Sequence, residues 1–296
     1  MQTLKLLPLI HQQAARLSSA KVSFGHGTLT AFDEAVWLAL WAMKLPIDDL
    51  DAVADSPVSA ADQAAVLAII TKRIVTRKPA AYLTNEAWLQ GVPFYVDERV
   101  IVPRSLIAEV IADGSIDEWL SDATTRVLDL CTGNGSLGIL AAMAYPDVAV
   151  VASDLSEDAL AVARINIDKH DLAARMTLVQ SDGLAAFDPS RTEDLFDFIL
   201  CNPPYVNADS MSKLPAEYLA EPNMALASGP DGMDFLKALL PQVASRLTLD
   251  GVLVLEIGNE RENFEAAFPH LPAFWLETSA GVDQVLLLTR EALLLT

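Results

Sequence analysis

The chain has 296 residues, about the length of two average domains, and 52% of them are hydrophobic, enough for a substantial core. No apolar run approaches the roughly 18 to 20 residues that cross a bilayer, so a membrane-spanning helix is not expected. The net charge of −20 is uneven: residues 1–85 hold eight Lys/Arg and seven Asp/Glu, net +1, and the remainder is −21. A surface this acidic repels a phosphate backbone and attracts a basic protein, so stable nucleic-acid binding is not expected.

The start, Met1 to Leu7, lacks a charged leader with a small-residue cleavage site, and no signal peptide is expected. Leu4, Leu7, Ile10, Ala14 and Leu17 then recur at the period of one helix face. Asp33–Met43 and Ala60–Ile74 read the same way, with Ser59 placed to cap the latter. The basic run from Lys72 to Lys78 reads as a solvated helix end or, as the less favoured alternative, a small RNA contact. Residues 1–85 thus form a small helical domain. Ala87-Trp88-Leu89 and Phe94-Tyr95-Val96 flank Gly91 as a β-hairpin, and Val100-Ile101-Val102 leads into Pro103-Arg104-Ser105 and a helix through about Leu120.

From Arg126 onward apolar strands alternate with amphipathic helices. Strands are expected at 126–131, 148–153, 176–180, 196–201, 252–257, 274–277 and 284–288. Helices are expected near 136–144, 156–169, 233–246 and 260–267. The alternation predicts a mainly parallel sheet covered on both faces, with an antiparallel end formed by the last two strands.

Two motifs carry chemistry. The first runs from Val127 to Gly138, out of a buried strand, through a Gly-rich turn and into a helix. Glycines let a backbone approach a ligand closely, and ligands of open α/β sheets sit beyond the carboxyl ends of the strands. Asp154 closes the next strand, where its carboxylate can accept from both hydroxyls of a ribose. Asp182 follows the third strand, where an adenine edge would come. Gly133, Gly135 and Gly138 also satisfy the G-x-G-x-x-G spacing of a dinucleotide site, and a ligand-free tight turn is a further alternative. Asp129 favours S-adenosylmethionine, because an acidic side chain there can bind the sulfonium side of the ligand.

The second motif is Asn202-Pro203-Pro204-Tyr205, at the end of the fourth strand. An amide nitrogen is a poor nucleophile because its lone pair is delocalised. The Asn202 side-chain oxygen and the Pro203 carbonyl can accept its two N–H bonds and aim its lone-pair face at a methyl group. Pro203 and Pro204 stiffen the loop, and Tyr205 can stack on a planar amide or base. Adenine-modifying DNA enzymes and guanine-modifying RNA enzymes use the same logic.

Asp129-x-x-x-Gly133-x-Gly135, Asp154 and Asn202-Pro-Pro-Tyr205 together resemble the protein-(glutamine-N(5)) methyltransferase family. The resemblance extends to Lys78-Pro-Ala-Ala-Tyr82, Val102-Pro-Arg104 and Glu221-Pro222. It implies a seven-stranded, Rossmann-like class I methyltransferase domain at 105–296. Before it would come a helical substrate-recognition domain at 1–85 and a hairpin linker at 86–104. It also implies an S-adenosylmethionine site formed by Asp129, Thr132, Gly133, Asn134 and Gly135, then Asp154 and Leu155, Asp182 and Gly183, and Asn202.

Ser105, Leu130-Cys-Thr-Gly133 and Gly281-Val-Asp-Gln-Val285 favour the branch acting on large-subunit ribosomal protein L-three over the branch acting on peptide-chain release factors. Asn134-Gly-Ser-Leu137 and Leu106 depart from that branch's usual wording. The alternatives are release-factor methylation, methylation of an exocyclic amine of a base, and cofactor binding without catalysis. Cys131 and Cys201 are too few for a disulfide framework and are expected as reduced thiols on neighbouring strands, in a cytoplasmic monomer.

Overall fold

The computed structural model describes residues 4–295, so Met1 to Thr3 of the apolar start lie outside the described residues. The N-terminal part packs the helices Leu6–Ser19, Ala31–Ala42 and Ala60–Thr76 around one apolar core, with two shorter turns of helix at Leu50–Val53 and Ala80–Thr84. The Ser59 hydroxyl caps the third of these helices by accepting from the Asp62 N–H at 3.1 Å. This core also takes in Val96, Val100 and Val102, together with Ala159 and Val162 from the larger part of the chain.

The hairpin pairs β1 (Ala87–Leu89) with β2 (Val92–Phe94) antiparallel. Gln90 and Gly91 both have positive φ, at 49° and 73°, the geometry a two-residue hairpin turn requires. The helix expected through Leu120 is shorter. It runs only Ile107–Ala112, because Gly114 turns left-handed at φ 72°, and a separate single turn follows at Asp117–Trp119.

Seven strands form the main sheet: β3 (Arg126–Leu130), β4 (Ala149–Asp154), β5 (Met176–Gln180), β6 (Phe196–Cys201), β7 (Leu247–Glu256), β8 (Phe274–Thr278) and β9 (Gly281–Thr289). Their order is β5-β4-β3-β6-β7-β9-β8. The first five are parallel, and β9 runs antiparallel to both neighbours. β7 begins five residues before the position expected from its apolar run. Leu247 pairs with Phe196 and Val252 with Phe198, so polar Thr248-Leu-Asp-Gly251 bulges out opposite Asp197, whose carboxylate accepts from the Thr248 hydroxyl at 2.9 Å. Two separate apolar clusters cover the two faces of the sheet.

From β3 the chain moves outward to β4 and β5, then crosses back to add β6 on the other side. The crevice beyond the carboxyl ends of β3 and β6 is therefore the topological switch point, where open α/β sheets bind ligands.

Candidate active site

A cavity of about 450 Å³ occupies that crevice. Gly133, Asp154, Leu155, Asp182 and Gly183 line it, and so do Asn202 and Pro204, so both sequence motifs open into one space. The other expected residues shape this wall from behind it.

Asp129 is fully buried and turned into its own loop. Its Oδ2 accepts from the Gly138 N–H at 2.8 Å and from the Thr132 hydroxyl at 2.5 Å, while Oδ1 has no partner. A Cβ at Gly138 would press on that carboxylate, which is why a glycine starts this part of the helix. Burial pushes the Asp129 carboxyl up to about 7, against the two donors that favour the charge.

Cys131, Gly133 and Gly135 take positive φ values of 60°, 54° and 84° and fold the loop tightly. At Gly133 no atom lies within 4 Å of where a Cβ would stand, so the loop backbone itself faces open space in the cavity wall. Asn134 stands behind the loop: its Oδ1 accepts from Ser136 N–H and its Nδ2 is buried without a partner.

The Asp154 carboxylate holds the loop by accepting from the Gly133 N–H at 2.9 Å, and its other oxygen accepts from Ser156 N–H at 2.9 Å. Burial raises its pKa, opposed by those N–H groups. Each oxygen keeps a second lone pair available.

At the opposite wall, Asn202 follows the last residue of β6. Its half-buried side-chain amide makes no hydrogen bond to the described residues. Pro203 is buried behind Pro204. Tyr205 does not line the cavity: its hydroxyl donates to Glu256 Oε1 at 3.3 Å. Cys131 and Cys201 are free thiols, and Cys131 is held above its usual range by the neighbouring Cys201 thiol and by burial.

Sequence reasoning missed much of the remaining wall. Glu98 to Ile101 of the linker, Pro222, Met224, Ala225 and Phe235 all contribute. Pro222 belongs to the Glu221-Pro222 pair noted in the sequence, but nothing local tells that this segment lines the cavity. Glu221 explains how. Its carboxylate takes both NH groups of Arg104, at 2.6 and 2.8 Å, and the Val102 N–H at 2.9 Å. Burial alone would raise its pKa; Arg104, with the His26 ring 3.6 Å away, brings it down to about 2.

Four residues earlier, Glu217 meets Arg73 at 3.3 Å and Arg77 at 3.4 Å, and Arg73 also pairs with Glu34 at 2.8 Å. The basic run is therefore only partly a solvated helix end: Lys72 is exposed, but Arg73 is fully buried and Arg77 bonds carbonyls of Ala20 and Lys21. These carboxylates fasten the loop over the cavity to the helical domain.

Residues 116–231 match the family described as "Methyltransferase small domain". Over 99% of its length the chain is 49% identical to the ribosomal protein uL3 glutamine methyltransferase of Bordetella pertussis, covering 97% of that protein. It is 50% identical to the protein of the same name from Burkholderia pseudomallei, over 95% of this chain and 92% of that one. The chain belongs to the ribosomal protein uL3 glutamine methyltransferase family. A solved structure of the hMettl16 catalytic domain in complex with MAT2A 3′UTR hairpin 6 is similar at a TM-score of 0.51, with 14% identity, over 77% of this chain and 80% of that one. At that identity the likeness is one of fold, the class I methyltransferase fold.

Membership in a methyltransferase family implies S-adenosylmethionine as methyl donor, and the cavity fits it. The bare backbone at Gly133, the free lone pairs of Asp154 and the exposed Asp182 lie along one side, where the nucleoside would be held. Asn202 lines the same cavity from the end of β6.

Proposed function

We propose that this methyltransferase transfers a methyl group from S-adenosylmethionine to the side-chain amide nitrogen of a glutamine in large-subunit ribosomal protein uL3. The observation that carries the reading is an unpartnered Asn202 amide, fixed by a Pro-Pro turn at the end of β6 and sharing one cavity with Gly133 and Asp154. Near-full-length similarity to uL3 glutamine methyltransferases supports the choice of substrate.

When bound, the cofactor supplies an electrophilic methyl group on a sulfonium. Asp154 accepts the ribose hydroxyls, Leu155, Asp182 and Gly183 hold the adenine side, and Gly133 passes its backbone close beneath the ligand. Asp129, Thr132, Asn134 and Gly135 keep that loop in shape. The Asn202 side-chain oxygen and the Pro203 carbonyl accept the two N–H bonds of the glutamine amide and hold its lone-pair face outward. No strong base is needed before attack, because the proton leaves only after the nitrogen has become cationic. Those same two oxygens stabilise the charge as it develops.

The reading assigns 1–85 to substrate recognition, 86–104 to the linker and 105–296 to methyl transfer. It takes the protein as a cytoplasmic monomer with a basic protein partner and no stable nucleic-acid ligand. No helix of the described residues is long and apolar enough to cross a membrane.

Mass spectrometry of uL3 from cells with and without this protein tests the reading: uL3 should lose one methyl mass when the protein is absent. Replacing the target glutamine by glutamate should abolish labelling, because a carboxylate presents no N–H pair. An unchanged uL3 with under-methylated release factors would move the protein to the other branch, and loss from a nucleic acid alone would end the amide reading.

A further inference from the structure

The Asn202–Tyr205 turn ends in a side chain that the cavity does not use. The Tyr205 ring lies over Gly258, where a Cβ would collide with it, and its hydroxyl reaches Glu256, the last residue of β7. Glu256 is buried. Its Oε2 accepts from the Ser105 hydroxyl at 2.5 Å and from the Leu106 N–H at 2.8 Å, two donors directly after the linker. Among the described residues it has no ion-pair partner. A buried carboxylate without a cation is costly unless hydrogen bonds satisfy it, and an apolar residue would fill the space at less cost. What Glu256 gains is connection, because its bonds lead in two directions. One goes to the linker and the other to the methyl-transfer turn.

The turn itself transmits such a constraint. Two consecutive prolines fix φ at 203 and 204, so few torsions remain free between Asn202 and Tyr205. The near end is held in the sheet through Cys201, which pairs with both Leu130 and Leu255. Locking the far end at Tyr205 therefore locks the Pro203 carbonyl and the Asn202 side chain between two fixed points.

We propose that Glu256 is a positioning residue for methyl transfer, which sets the Asn202–Tyr205 turn in register with the linker by holding Tyr205 and Ser105 on one carboxylate. This rests on the assignment of Asn202 and Pro203 as the amide acceptors. It also replaces the expectation that Tyr205 stacks on the substrate: the ring is an anchor, and the slot beside Asn202 is left without an aromatic wall from this side chain.

The test uses the full chain with Ser105→Ala, Tyr205→Phe, their double variant and Glu256→Gln. Ser105→Ala and Tyr205→Phe should each slow single-turnover transfer to uL3 about 10-fold, the effect of losing a hydrogen bond to a charged group. Cofactor affinity by calorimetry should be unchanged. The double variant should be no slower than either single one, since both act through the same carboxylate. Glu256→Gln should keep most of the rate, because its amide still accepts from Ser105 and can donate to the Tyr205 oxygen. Hydrogen exchange at the Tyr205 and Val206 amides should quicken in both single variants, a readout that needs no substrate.

Wild-type rates in either single variant, a double variant slowed multiplicatively to about 100-fold, or unchanged exchange at 205–206 would each overturn the proposal. If exchange responds as expected while the unaltered protein leaves uL3 unlabelled, the substrate assignment fails and the positioning role stands.

Discussion

The two walls of the cavity are built by different means. The cofactor loop closes largely on itself: Asp129 holds Thr132 three residues on and Gly138 nine residues on, and Asp154 reaches Gly133 across 21. The methyl-transfer turn and its cover are held from far away. Tyr205 meets Glu256 across 51 residues, Arg104 meets Glu221 across 117, Arg73 meets Glu217 across 144, and Ser105 meets Glu256 across 151. A wall made of local contacts forms whenever its strand and helix form. A wall made of long-range pairs exists only once the helical domain and linker have docked, so access to the transfer side is tied to the state of the whole chain.

The largest expected effect tests the long-range wall. Arg73→Met leaves Glu34 as a buried carboxylate without its ion pair and Glu217 with Arg77 alone, and should cost about 3 to 5 kcal/mol of stability, measured by denaturant unfolding. If the comparison holds, partial denaturant should disorder residues 206–232 before the cofactor loop, as hydrogen exchange would report.

Asn202→Ala comes next and separates the walls functionally. It should slow transfer about 100-fold or more while sparing cofactor binding, since its acceptor acts on charge that develops on the substrate nitrogen. Near-normal single-turnover transfer would remove Asn202 from the chemistry. Asp154→Ala should do the converse and weaken S-adenosylmethionine binding about 10- to 150-fold, the loss of a charge-assisted hydrogen bond. Unchanged affinity by calorimetry would remove Asp154 from the site.

The last test is in pH, where the walls should oppose each other. The Glu221 carboxyl is lowered from 4.5 to about 2, so its contribution is present above its unfolded pKa and is lost as pH falls from about 4.5 through 2. Asp129 is raised from 3.8 to about 7, so folding is favoured while it is protonated, and that advantage is lost as pH rises from about 4 through 7. Asp129→Asn should therefore flatten the stability profile between about pH 4 and 7, and Glu221→Gln should flatten it only below about 4.5. Identical profiles for both variants would show that the two carboxyls do not titrate as their surroundings dictate.

The same division explains what the sequence disclosed. The Gly-rich loop, Asp154 and the Asn202 turn were legible because each is a short stretch placed at a strand end, and strand ends follow from apolar runs. The order of alternating strands and helices was legible for the same reason, with the antiparallel end at β9. Asp129 was legible as a loop residue, but which way its carboxylate turns depends on the Gly138 N–H that receives it. The pairs that cover the site were not legible. Arg73 looks like one more cation in a basic run until Glu34 and Glu217 are brought to it by separate elements, and Ser105 has no visible partner until β7 delivers Glu256. The overlong helix before Leu120 failed at a single residue, Gly114, whose left-handed turn an apolar pattern does not reveal.

The buried trio of Glu34, Arg73 and Glu217 also bears on inheritance. The helical domain and the transfer domain meet through a segment, 217–221, that belongs by sequence to one and by contact to the other. A recombination that exchanged the first 104 residues between relatives would separate Arg73 and Arg104 from the segment that carries Glu217 and Glu221, so the packing of both pairs would rest on two parents. The helical domain is thus a discontinuous packing unit, its own residues plus five from beyond the Asn202–Tyr205 turn, and chimeras that carry both pieces from one parent should fold more stably than those that mix them.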